Sequence, residues 1–158
     1  MIEFEDHLGD SKLPVVAKPS DGVLANSQKL ADWVGDNRDN IRDRLCRDGA
    51  ILFRGFNVRD AACFEPVCSA FKDDLVSYAG GSSPRTLVSG NVYTSTEYPS
   101  GSSIADEDLD HVRQVLADHE TVFQWQQGDV LFCDNILVAH GRQPFTGPRC
   151  ITVSMSSN

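Results

Sequence analysis

The chain has 158 residues, 14 Lys+Arg against 23 Asp+Glu, a formal charge of −9 with His neutral, and a hydrophobic content of 41%. That length suits one domain and buries roughly 70% of the unfolded chain's surface, so no metal or disulfide is needed merely to hold a core. Disorder, collagen and coiled coil are excluded by composition. The negative balance, with no Lys/Arg run interleaved with aromatics, argues against nucleic acid and against an anionic membrane surface. No apolar run approaches the ~20 residues that cross a bilayer, and the N-terminus lacks a basic, apolar leader, so a cytoplasmic protein is expected. Cys46, Cys63, Cys68, Cys133 and Cys150 are odd in number and form no C-x-x-C pair, which reads as buried or bystander thiols.

In chain order, Leu13 to Ala17 is a short apolar run with Pro14 at its edge and predicts a strand. From Ser27 to Arg47 the spacing turns helical, with Leu30, Trp33 and Val34 on one face and Ile41, Leu45 and Cys46 on another, interrupted at Gly35-Asp36. Gly49 ends the second stretch, and Ala50 to Phe53 reads as a buried strand. Asp60 is placed to cap a helix carrying Phe64, Val67, Cys68 and Phe71 at i, i+3, i+4 and i+7, with Pro66 close to its start. Residues 79 to 103 are rich in Gly, Ser and Thr and predict loops.

A further helix is expected from Asp106 to Asp118, with Leu109, Val112, Val115 and Leu116 inward and acids in its first turn, where the helix dipole favours them. The remainder predicts strands at Thr121–Trp125, Val130–Cys133, Ile136–Ala139 and Cys150–Val153. Helices followed by a strand-rich C-terminal half give an α+β fold, with helices packed on an antiparallel barrel or sandwich.

The stretch richest in chemistry runs from Trp125 to Arg149. A His at the end of one apolar strand (His140) and an Arg at the start of the next (Arg149) can face one cavity across a hairpin. Such a pair suits an imidazole-bound metal beside a carboxylate held by a guanidinium. From spacing alone, an ordinary surface or core polar residue is the better reading of each.

Three blocks carry a family resemblance: residues 49–56 (GAILFRGF), 90–99 (GNVYTSTEYP) and 128–149 (GDVLFCDNILVAHGRQPFTGPR). In this order they resemble the taurine dioxygenase-like, or TauD/TfdA, oxygenases, and in particular the branch similar to the syringomycin-biosynthesis hydroxylase. The resemblance implies a clavaminate synthase-like double-stranded β-helix (jelly roll) with flanking helices. It also implies Fe(II) held by a His-x-Asp/Glu pair and a distant His, with 2-oxoglutarate as co-substrate. His140 matches the distant iron ligand. Arg149 matches the residue that pairs with the far carboxylate of 2-oxoglutarate. Trp125, Asp134 and Asn135 also fit the pattern, although support of the hairpin and its turn is the better explanation of them.

One part of the pattern is missing. His7, His111, His119 and His140 are the only histidines, and none has Asp or Glu two residues on. Near residues 100–104 the chain passes from the second block straight to the helix that precedes the third, so a single, incomplete domain over 1–158 is expected, with a deletion junction there. A barrel lacking strands exposes unpaired edges, so a homo-oligomer or a complementing chain is expected. The residues leave three readings: an oxygenase acting on a small molecule that needs the absent block, a non-catalytic remnant binding a small anion or a protein, and an unrelated cupin-like binder. An improvised metal site at Asp106, Glu107, Asp108, Asp110 and His111 is disfavoured, since a helix start explains the acids.

Overall fold

The computed structural model describes residues 2–5, 13–20, 26–72, 75–76, 86–88, 91–93, 103–141, 143–147 and 150–156. They fall into two compact units, one formed by 1–77 with 123–158 and the other by 78–122. Much of the second resemblance block and part of the expected junction lie outside the described residues.

The first unit is organised by a four-stranded sheet in the order β1 (Ile2–Glu5), β2 (Val15–Pro19), β3 (Ala50–Phe53), β7 (Val130–Cys133). β1 and β7 run antiparallel to their neighbours, whereas β2 and β3 are parallel, so the sheet is mixed where an antiparallel one was expected. Parallel neighbours need a long crossover, and two helices provide it: α1 (Ser27–Asp36) and α2 (Arg38–Asp48).

Local chemistry sets their limits. The Asn26 side chain accepts from the Lys29 N–H at 2.9 Å and caps α1. The break falls at Asn37 rather than Gly35-Asp36, because the Asn37 amide donates to the Trp33 carbonyl at 2.8 Å and its N–H to that of Val34. Leu30, Ala31, Val34, Ile41 and Leu45 are buried as the spacing predicts. Cys46 is exposed instead. At about 100° per residue it lies about 140° round the helix from Ile41. Gly49 closes α2 at φ +76°, donating to the Leu45 carbonyl at 2.8 Å.

α3 (Ala61–Phe71) begins at Asp60, whose carboxylate accepts from the Cys63 N–H at 2.8 Å. Pro66 lies inside the helix and removes one of its i→i−4 bonds. α3 packs on α1, and together with α2 these helices bury one sheet face. Phe53 is the hub, with ring centroids 5.1 Å from Phe132 and 6.2 Å from both Trp33 and Phe56. Along the strands Val16 and Leu52 alternate to the opposite face and are fully buried there as well.

The C-terminal strands are where expectation and structure part. Only Val130–Cys133 forms as predicted. Thr121–Trp125 is not a strand, Ile136–Ala139 passes through a turn, and Cys150–Val153 is irregular and exposed. A two-residue β8 (Met155–Ser156) instead pairs with β4 (Leu75–Val76). The physical reason is that a strand needs a partner for its N–H and C=O groups, and none of these runs has one among the described residues.

In the second unit, β5 (Thr86–Val88) and β6 (Asn91–Tyr93) pair antiparallel. α4 (Asp106–His119) carries Asp106, Glu107 and Asp108 in its first turn, as expected from the dipole. Its apolar stripe is not inward, however: Val112, Val115 and Leu116 are exposed and no residue of the helix is buried. Periodicity is enough to make a helix, but burial also needs a facing element.

Candidate metal and anion site

The segment leading to His140 is fixed at its start by the corner between α2 and β3. β7 ends at Cys133, and the Asp134 N–H donates to the Gly49 carbonyl at 2.9 Å. Asp134 then builds a turn, its carboxylate accepting from the Ile136 N–H at 2.9 Å and its carbonyl from those of Leu137 and Val138 at 3.1 and 3.0 Å. Gly49 is required for this approach: a Cβ there would lie 2.5 Å from Val138 Cγ1. Two residues beyond Val138, His140 stands exposed.

The other end of β7 is held by an ion pair that the sequence did not disclose. Arg54, just after β3, grips Asp129, just before β7, in a fork with Nε–Oδ1 at 3.1 Å and Nη2–Oδ2 at 2.7 Å. The Asp129 side chain is 1% exposed and that of Arg54 15%. Arg54 also donates to the Gln124 carbonyl at 2.8 Å, and the Gln126 N–H donates to Asp129 at 2.8 Å. The tight approach here falls to Gly128, at φ +89°, where a Cβ would lie 3.1 Å from the Val58 nitrogen. The clamp ties the first and third resemblance blocks together. The only local hint is that each residue adjoins a Gly at the border of an apolar run, Arg54 after Ala50–Phe53 and Asp129 before Val130–Cys133, and nothing local pairs positions 75 residues apart.

Of the expected pair, the imidazole alone has a described position, because Arg149 lies outside the described residues. Asp134 serves the turn. Trp125 is exposed, its ring tilted by 42° against that of Phe123 with 5.3 Å between centroids. Among the described residues no group of three or more His, Cys, Asp or Glu side chains converges to hold a metal. Burial raises the Cys133 thiol above its ordinary range, away from the thiolate that a ligand or nucleophile requires. Cys68 is raised in the same way, partly offset by a hydrogen bond with Ser154. The residues described here therefore do not fit the three-ligand Fe(II) centre that the resemblance implies.

Comparison with known proteins defines the class. Residues 75–155, just over half of the chain, match the taurine catabolism dioxygenase TauD, TfdA family, and the chain belongs to that family. The family is one of Fe(II)- and 2-oxoglutarate-dependent oxygenases. The chain is 53% identical over 58 residues to the dapdiamide synthesis protein DdaC of Enterobacter agglomerans, covering 37% of this chain and 18% of that protein. It is 47% identical over 102 residues to a clavaminate synthase-like protein of Arabidopsis thaliana, covering 62% of this chain and 31% of the relative. The chain thus spans less than a third of either curated relative. No helix among the described residues is long and apolar enough to cross a membrane.

Proposed function

We propose that this chain is part of an Fe(II)/2-oxoglutarate-dependent oxygenase of the jelly-roll type and supplies its centre only in part. In the completed centre, with the missing ligands supplied, His140 would be the imidazole that binds the iron. Arg149 is the guanidinium that receives the far carboxylate of 2-oxoglutarate, a planar fork suited to a planar anion. The substrate is a small amino-acid-like or carboxylic molecule, hydroxylated or desaturated, and the work requires a segment bearing the other ligands. When bound, the metal and co-substrate supply the oxidising power. This chain's own part is to present the imidazole from a braced turn and to hold an anion.

The observation that carries this reading is the family match, which runs through both His140 and Arg149. The Gly49–Asp134–Val138 brace supports it, because a ligand must be presented from fixed backbone. A second reading, a non-catalytic remnant that binds an anion or a protein, is favoured by the lack of a three-ligand group among the described residues.

The test restores what is missing. The corresponding central segment of the Arabidopsis relative is inserted at residues 100–104, and succinate formed from 2-oxoglutarate is measured under air with Fe(II). Turnover that is lost in His140→Ala and weakened in Arg149→Ala is expected. A folded, restored chain that is inert, or one indifferent to His140→Ala, overturns the reading in favour of the remnant.

A further inference from the structure

We infer that this chain by itself does not form the ferrous centre of its family, and that His140 is a solvent-facing imidazole rather than one arm of a preformed chelate. The inference uses the three-ligand chemistry invoked above but does not depend on the chain being catalytic.

Its first support is the donor inventory. A selective Fe(II) site of this kind needs two imidazoles and a carboxylate on one face. Across all 158 residues no His has an acid two positions on, so the chain lacks the His-x-Asp/Glu order that supplies two of the three ligands. Nor do distant residues compensate among those described, where no third donor joins any pair.

The second support is what four acids of the first unit already do. Asp129 is held by Arg54 and the Gln126 N–H. Asp134 accepts from the Ile136 N–H, Asp60 from the Cys63 N–H, and Asp48 from Arg47. Recruiting Asp134, the acid nearest to His140 in sequence, would dismantle the turn that carries His140 itself. Recruiting Asp129 would strand a buried guanidinium.

The third support is the setting of the ring. Metal-bound imidazoles have their second nitrogen fixed by a hydrogen bond that selects the tautomer. His140 is exposed and follows a turn whose hydrogen bonds end at Val138. Among the described residues its ring has no such partner, whereas even His119, at the end of α4, engages the Val115 carbonyl through Nδ1 at 2.8 Å.

The experiment uses the intact chain without oxygen. Fe(II), and separately Co(II) as a spectroscopic probe, are added at equimolar concentration with and without 2-oxoglutarate. Metal retained through desalting is then measured for the wild type and for His140→Ala, a surface change that leaves the fold in place. Ring-proton NMR follows the Co(II) titration. The expected result is no stoichiometric retention, no difference between the two proteins, and similar Co(II) broadening of the His140 and His111 rings. One equivalent retained by the wild type overturns the inference whether or not His140→Ala abolishes it, as does selective broadening of His140 at substoichiometric Co(II). Such binding would leave the oxygenase reading standing. An inert restored chain would instead overturn the oxygenase reading and leave this inference intact.

Discussion

Ala50–Phe53 and Ile136–Ala139 are both apolar runs of four residues bounded by turn-forming sequence, yet they end in opposite circumstances. The first lies between β2 and β7, with hydrogen bonds on both edges and every residue buried. The second turns at the surface, with Ile136 79% exposed. Hydrophobic composition is nearly constant between them, so what separates them is partners. A strand is stable where neighbouring strands take up its backbone groups and another layer covers its side chains. A run that lacks both gains little from its own propensity.

The sharpest way to break this comparison is truncation in each run. Phe53→Ala should cost about 3–5 kcal/mol in urea unfolding. Ile136→Ala should stay within about 0.5 kcal/mol, as surface changes do. Equal losses would mean that Ile136 is covered in solution. Next in size is the clamp that holds β7 against β3. Arg54→Ala leaves the Asp129 carboxylate buried without its cation and should cost about 3 kcal/mol, whereas Arg54→Met with Asp129→Leu should recover most of the loss. A double variant as unstable as the single one would show that the Gln124 and Gln126 contacts matter more than the pair.

Gly49→Ala tests the brace under the exposed run. Strain at φ +76° and the collision with Val138 should together cost about 2 kcal/mol, part of which returns when Val138→Ala is added. No recovery would place all of the cost in the backbone.

The smallest effect lies in the well-packed half and is read by pH. The Cys63 backbone N–H, donating to Asp60, lowers that carboxyl from its ordinary 3.8. A depressed acid contributes stability fully above its unfolded value and loses it as pH falls through the folded one. Asp60→Asn should therefore flatten the unfolding midpoint against pH below about 4 and leave its shape at neutrality unchanged.

What could be read from residues alone follows the same division. The Asp60 cap, the burial of Val67 and Cys68 at helical spacing behind it, the α2 stop at Gly49 and the burial of Ala50–Phe53 were all legible, because cap, period and terminator lie within a few residues of one another. The parallel pairing of β2 with β3 and the Arg54–Asp129 fork were not, since each joins distant positions through tertiary packing. At the C-terminal end, Ile136–Ala139 and Cys150–Val153 have strand composition without strand partners, and so pattern misled there. The α4 stripe failed for a related reason, its period being right while nothing among the described residues covers it. His140 and Arg149 were singled out by resemblance; geometry locates the first at the surface, and the second lies outside the described residues.

The position of β3 also has a consequence for biosynthesis. One of its edges is met by β2, which is made before it, while the other waits for Val130, 77 residues after Phe53. At ribosomal speeds of about 5–20 residues per second, that edge stays open for roughly 4–15 s. For those seconds the nascent polypeptide carries an apolar, half-zipped ribbon, the interval in which a shielding chaperone has most to protect.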